Sequence, residues 1–205
     1  MHNVQQGEVY DSVVKDITLK TLDGYNGTVL CYGQTGAGKT FTMTGATENY
    51  EQRGLIPRTI QHLFKEIQNR QDRSYTVRIG YLEIYNEQLF DLLATMPLAT
   101  MQNNNPATDY NSGLSIFDDR GDVFVKGLTY QLAASEEDAL NLLFEGETNR
   151  SIGTHFLNKE SSRSHCIFTV RIESKSISSS DEKYTLSKLN LVDLAGSERL
   201  AKTQV

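Results

Sequence analysis

Positions 33 to 40 read Gly33-Gln34-Thr35-Gly36-Ala37-Gly38-Lys39-Thr40. They satisfy the pattern G-x-x-x-x-G-K-[ST] at every fixed position. The glycines let the backbone curl so that successive N–H groups face one concavity. Opening at a helix N-terminus, that concavity suits a polyphosphate. Lys39 is then placed to reach the β- and γ-phosphates, and the Thr40 hydroxyl to ligate Mg²⁺. The plainer reading is a glycine-rich turn without a ligand, and the flanks weigh against it. Thr28-Val29-Leu30-Cys31-Tyr32 is a short run of β-formers between Gly27 and Gly33, and Phe41-Thr42-Met43 continues without a breaker as far as Gly45. A strand, a loop and a helix start are what a phosphate cradle needs.

Hydrolysis of a triphosphate needs more: another group on the metal, and a device that sets water at the γ-phosphate. Two later segments carry candidates. Leu189-Asn190-Leu191-Val192 is an apolar strand run that ends in Asp193-Leu194-Ala195-Gly196. It puts a carboxylate at the carboxyl edge of a sheet, where a P-loop also opens. Asp193 is a candidate for holding Mg²⁺ through water, and the Gly196 N–H for approaching the γ-phosphate. Taken alone, D-x-x-G is equally an ordinary strand-end turn. The second segment, Asn158-Lys159-Glu160-Ser161-Ser162-Arg163-Ser164-His165, gathers hydroxyls, a guanidinium and an amide ahead of a strand. Its alternative is a polar loop with capping serines.

The elements that must position these groups are legible as an alternation. Residues 8 to 23 read as a helix, with Val9, Val13 and Ile17 spaced by four and Gly24 to close it. Gly45 to Gly54 reads as a loop. Pro57 suits a first helical turn, and Ile60, Leu63, Phe64 and Ile67 form an apolar stripe. Tyr75 to Tyr85 reads as a strand and Asn86 to Leu93 as a short helix. Residues 94 to 113 read as an extended, flexible surface loop. Leu114 to Phe117 and Val123 to Leu132 are strand candidates. Ser135 caps a helix with Asp138 three residues on, and Gly146 approaches its end. His165 to Ser174 and Tyr184 to Asp193 are strands joined by a serine-rich loop. The fold class is α/β: a P-loop NTPase with a mixed central sheet flanked by helices on both faces.

The 205 residues suffice for one domain with its own core, and 38% hydrophobic with 22% charged content is ordinary for a globular chain. No apolar run approaches the ~20 residues that span a bilayer, and the N-terminus lacks the pattern of a secretory signal. Two cysteines, Cys31 and Cys166, lie in strand-like runs and read as reduced thiols. A net charge of −6 argues against nucleic acid or an anionic membrane as partner.

Together Gly24-Tyr25-Asn26-Gly27-Thr28, the loop Gly33 to Thr40, Tyr81-Leu82-Glu83-Ile84-Tyr85-Asn86-Glu87, the segment Asn158 to His165 and Leu191 to Arg199 (LVDLAGSER) resemble a kinesin motor domain, in family order and over almost the whole chain. Gly45 to Tyr50 and Phe144 to Arg150 resemble the kinesin nine subfamily, which implies a ciliary or flagellar setting within the cytoplasm and cytoskeleton. The resemblance implies a microtubule motor ATPase using ATP/ADP and Mg²⁺. It implies that Gly33, Gln34, Thr35, Gly36, Ala37, Gly38, Lys39 and Thr40 hold the phosphates. Thr40, Ser162 and Asp193 would serve the metal, and Ser161 and Asn158 would order the switch I loop and the attacking water. Asp193 and Gly196 would form switch II. Arg163 and Glu198 would form a salt bridge closing the two switches, a bistable latch sensitive to the γ-phosphate. Tyr10 and Phe41 match positions flanking the adenine, with ordinary aromatic packing as the alternative.

Family elements are also missing from the sequence. The first strand, with its adenine contact, is expected before Met1. The relay helix, the main tubulin-contacting elements, the last strands and the neck linker are expected after Val205. The chain is therefore expected to be a partial motor domain, incomplete at both termini, with unpaired sheet edges. It is expected to keep the phosphate chemistry and to lack the mechanical output. The rival reading is a non-catalytic nucleotide- or partner-binding remnant. A P-loop switch protein unrelated to the cytoskeleton is disfavoured by the joint presence of the two switch segments. Oligomeric state is not legible.

Overall fold

The computed structural model describes residues 4–46, 49–94, 113–119, 121–156, 161–177 and 184–198. Its centre is a mixed sheet in the order β1 (Gly27–Cys31), β8 (Tyr184–Asp193), β7 (Ser164–Ser176), β2 (Arg73–Tyr85), β3 (Gln88–Asp91), with β6 (Gln131–Ala133) also on β2. β1 runs parallel to β8, and the other pairings are antiparallel. A separate hairpin is formed by β4 (Ser115–Asp119) and β5 (Asp122–Lys126).

The period-2 pattern of the strands divides the sheet into two faces. On β7, Cys166, Phe168, Val170 and Ile172 are all buried, whereas Arg171 between them is exposed. The register carries Val77, Ile79 and Tyr81 of β2, and Ser187, Leu189 and Leu191 of β8, onto the same buried face. Helix α2 (Lys15–Leu22) reaches this face through Ser187, whose hydroxyl donates to the Thr21 carbonyl at 2.7 Å. Helix α5 (Glu136–Phe156) reaches it through Gly146, where an added Cβ would stand 2.3 Å from the Tyr81 ring. Helix α4 (Leu55–Asn69) packs against both, burying Ile60, Leu63 and Phe64 of its apolar stripe. Among the described residues no helix is long and apolar enough to cross a membrane.

Several boundaries differ from the sequence expectation. The first helical segment is two helices, α1 (Gln6–Val13) and α2, with Val14 as C-cap of one and N-cap of the other. Asn86 to Leu93 is not helical. Asn86 and Glu87 adopt φ of 49° and 60° and pair Tyr85 with Gln88, which makes a two-residue hairpin turn leading into β3. Leu89, Leu92 and Leu93 mimic a helical period there, and the left-handed turn at an Asn overrides that weak signal. Gly146 does not end α5, which runs on to Phe156. That glycine is required by the close approach of Tyr81 rather than by a C-cap. The Ser135 cap is present: its hydroxyl accepts from the Asp138 N–H at 3.0 Å, and the Asp138 carboxylate accepts from the Ala134 N–H at 3.0 Å. Most of the expected 94–113 loop lies outside the described residues. Cys31 and Cys166 are both free thiols.

Candidate nucleotide site

The parallel pairing of β1 with β8 sets Cys31 opposite Asp193, so both strands end at one edge of the sheet. The segments that leave the two strands therefore meet. The P-loop leaves β1 and returns as α3 (Lys39–Met43). Gly36 and Gly38 adopt φ of 79° and 89°, and a Cβ at either would meet nothing within 4 Å. Glycine is needed there for conformation, and the face of the loop stays open to a ligand. The segment that leaves β8 lies against the same loop. Leu194 N–H donates to the Cys31 carbonyl at 3.2 Å and Ser197 N–H to the Gly33 carbonyl at 3.1 Å. Gly196 N–H donates to the Ser162 carbonyl at 2.7 Å, which joins this segment to the 3-10 turn Ser161–Arg163. His165 accepts from the Ala195 N–H at 3.1 Å through Nδ1, a further tie between the two segments.

Three distant stretches of sequence thus converge. They enclose a cavity of about 250 Å³ lined by Thr35, Gly36, Lys39, Thr40, Ser162 and Asp193. A larger cavity of about 530 Å³ lies elsewhere, between β5 and the outer face of β7 and β8, where Phe124, Arg171 and Lys188 line it. Size alone does not select the site; the convergence of hydroxyl, ammonium and carboxylate does.

Inside the smaller cavity the polar groups are specifically engaged. Lys39 Nζ donates to the Gly33 and Gln34 carbonyls at 2.9 and 3.0 Å. Thr40 Oγ1 donates to Asp193 Oδ2 at 2.6 Å. Asp193 Oδ1 is buried and has no hydrogen-bond partner among the described residues. A buried carboxylate oxygen left in that condition is costly unless something satisfies it. Glu198 accepts from the Thr35 N–H at 3.0 Å and from the Thr35 hydroxyl at 2.6 Å. Those hydrogen bonds from Thr35, with Lys39 nearby, hold the Glu198 carboxyl below its usual range.

Of the residues expected in the site, Gly33 to Thr40, Phe41, Ser162, Asp193 and Gly196 come together. Asn158 lies outside the described residues, and of Ser161 the backbone alone is described. Glu198 rests on the P-loop through Thr35, and its pairing with Arg163 is not among the ion pairs of the described residues. Tyr10 lies on α1, outside the phosphate end of the site. It is 7% exposed within the helical layer, its hydroxyl meets His62 Nδ1 at 2.8 Å, and burial pushes its phenol up to about 12. Its ring meets that of His62 on α4 edge to face.

Three further residues contribute. Gln6, 8% exposed, donates from Nε2 to the Phe41 carbonyl at 2.7 Å and so ties α1 to α3. No motif marks it. Glu147 and Arg150 lie behind Asp193 on α5 and share a row of ionic contacts with it. Their i,i+3 spacing on a helix was the available signal.

The family model described as the kinesin motor domain matches residues 1–205. The chain is similar to the mouse kinesin-like protein KIF9, 56% identical over 203 residues that make up 99% of this chain and 25% of that protein. It is 46% identical to the Chlamydomonas reinhardtii kinesin-like protein KLP1 over 210 residues, 100% of this chain and 25% of that one. The chain thus spans about a quarter of the length of these curated relatives. Among solved structures, one of a fast kinesin, described in connection with its ATPase mechanism and interactions with microtubules, matches with a TM-score of 0.85 at 35% identity. The match covers 98% of this chain and 53% of that one.

Proposed function

This chain belongs to the kinesin motor domain family, and from that premise we propose that it binds ATP with Mg²⁺ and hydrolyses it by in-line attack of water on the γ-phosphate, as part of a microtubule motor. The observation that carries the reading is the meeting of Lys39, Thr40, Ser162 and Asp193 at one cavity, from segments far apart in sequence.

The residues present fit a Mg²⁺ ion that arrives with the nucleotide. Asp193 Oδ1 is buried without a hydrogen-bond partner among the described residues, and the Thr40 hydroxyl stands on the other oxygen of the same carboxylate. When bound, Mg²⁺ neutralises charge on the β- and γ-phosphate oxygens. The protein's own groups do the rest. The Gly33–Thr40 backbone N–H groups cradle the phosphates, and Lys39 exchanges its two loop carbonyls for phosphate oxygens. Thr40, Ser162 and Asp193 are the residues that would hold the metal, with Asp193 acting through water. Gly196 N–H, now on the Ser162 carbonyl, is the donor closest in kind to a γ-phosphate sensor. Asn158 and Ser161 order the water, and Glu198 moves from Thr35 to Arg163 to close the switches. Phe41, half exposed at the cavity, flanks the base. At about 250 Å³ the cavity is below the roughly 300–1,000 Å³ of sites that enclose a whole ligand, so the phosphate end enters and the base stays at the surface.

The proposed partner is the microtubule, and the proposed setting is the cytoskeleton, including cilia or flagella. Phosphate release by the purified chain, with and without microtubules, tests this. Turnover that rises with microtubule concentration is expected. Turnover absent from a protein that is folded by circular dichroism, with no cosedimentation, would instead support the non-catalytic remnant.

A further inference from the structure

Helix α3, which follows the phosphate loop, has five residues and carries Lys39, Thr40 and Phe41. A helix of that length is not stable by itself in water, so contacts with other elements must hold it. Its first turn is tied at the phosphate end. The Thr40 hydroxyl stands on Asp193 Oδ2 at 2.6 Å, and Lys39 Nζ on the Gly33 and Gln34 carbonyls. At the far end the ladder breaks. Gly45 N–H turns back to the Thr40 carbonyl at 3.4 Å, and Gly45 leaves the helix at a φ of 77°. The Phe41 carbonyl is thereby left among the orphan acceptors of a helix C-terminus.

The donor that meets it comes from another helix. Gln6 of α1 donates from Nε2 to the Phe41 carbonyl at 2.7 Å, and at 8% exposed the cap is shielded from water. Gln6 in turn stands on a fixed support. One turn later on α1, the Tyr10 hydroxyl meets His62 Nδ1 of α4 at 2.8 Å. Beside Gln6, an added Cβ at Gly7 would stand 3.6 Å from Arg58 Nη1, so α4 also lies against the first turn of α1. Arg58 donates from Nε to the Arg53 carbonyl and from Nη2 to the Glu51 carbonyl, both at 2.9 Å. Helix α4 therefore braces α1 and the loop after α3 together. Phe41 itself is 50% exposed and lines the cavity. Packing on all sides cannot fix a ring so open, so its place depends on the backbone that carries it.

We propose that Gln6 is a positioning residue for the nucleoside end of the site: by capping the Phe41 carbonyl it fixes the backbone from which the Phe41 ring meets the base. The proposal rests on the reading of Phe41 as the residue that flanks the base. It divides the site in two. The phosphate end has its own anchors in Asp193 and the Gly33 and Gln34 carbonyls, and none of them passes through Gln6. Without the Gln6 amide the Phe41 carbonyl lacks its donor, and the end of α3 must shift or take up water to satisfy it. Hold on the base is lost, and hold on the phosphates is kept.

Calorimetric titration of the purified chain with ATP and with inorganic tripolyphosphate, each with Mg²⁺, tests the role. Gln6→Met keeps the length of the side chain and removes the donor. It is expected to weaken ATP binding roughly 5- to 20-fold, the lower part of what stacking of a base on an aromatic side chain contributes. Tripolyphosphate binding should stay within about twofold of wild type, as for contacts that act independently. Phe41→Ala should show the same split, and Gln6→Met should add little to it, because the two residues act as one unit. Damage that was merely structural would weaken both ligands and would add to Phe41→Ala. Gln6→Asn keeps an amide that is one methylene too short to reach the carbonyl, should shift ATP in the same direction, and serves should Gln6→Met fail to fold. Unchanged ATP affinity in the folded Gln6 variants, an equal loss for both ligands, or full additivity with Phe41→Ala overturns the positioning role alone. Unchanged ATP affinity in Phe41→Ala overturns the reading of Phe41 and the proposal with it.

Discussion

Lys39→Ala is expected to lower phosphate release roughly 100- to 1,000-fold, the scale on which removal of one preorganised charge or donor acts at a reacting centre. Among the described residues that line the cavity, Lys39 carries the one positive charge. Its ammonium is held at the mouth of the loop by the Gly33 and Gln34 carbonyls, at 2.9 and 3.0 Å. These contacts keep it close to where β- and γ-phosphates would lie, and trading carbonyls for phosphate oxygens gives charge-assisted bonds to an anion in place of bonds to neutral acceptors. Binding should weaken together with turnover, because the lysine meets the triphosphate before and during reaction. Folding should be nearly untouched, since each lost carbonyl bond is part-exposed or exposed and contributes about 1 kcal/mol or less net. Phosphate-release and fluorescent-ATP titrations on wild type and variant, with thermal melts of both, measure the three quantities together. Turnover equal to wild type in the folded variant would remove Lys39 from the site.

Phe168→Ala is expected to cost about 3–5 kcal/mol of folding stability. Phe168 is 0% exposed and lies in β7, which is paired on one side with β2 and on the other with β8. Its ring meets Tyr81 edge to face, with centroids 5.3 Å apart and planes at 81°. The strands on either side are fixed by their ladders, so the hole left by the ring can close only by distorting the sheet, and most of the cavity penalty should be felt. A domain of this kind has about 5–15 kcal/mol in total, so the variant would be at best marginal. Urea unfolding should show a lower midpoint with an unchanged slope. Tyr81 also carries the Glu147 hydrogen bond, so looser packing should reach the cluster behind Asp193. A shift under about 1 kcal/mol would mean that the core relaxes around this position far more than the sheet geometry allows.

The parts of the site legible in the sequence were those set by local backbone chemistry. Gly36 and Gly38 need left-handed φ, and an apolar strand ending in Asp193 has one natural place to put its carboxylate. The mixed sheet was legible in strand runs whose alternation survives in the buried face of β7 and β8. What escaped depends on contacts between elements. Asn86 and Glu87 turn β2 back onto β3, and pairing between strands decides that turn rather than the nearby leucines. Gly146 looked like a helix end because nothing local discloses that Tyr81 presses on it from β2. The Arg150 cluster needs three strands and a helix in register before its charges meet.

The loop after β1, the turn before β7 and the segment after β8 are proposed to form one triphosphate site. A crystal structure of the chain with Mg²⁺ and a non-hydrolysable ATP analogue tests it most directly. The phosphates are expected within the Gly33–Thr40 loop, with Lys39 Nζ moved from the Gly33 and Gln34 carbonyls to phosphate oxygens and Glu198 moved from Thr35 to Arg163. Phosphates bound outside that loop, with Lys39 still on its two carbonyls, would contradict it.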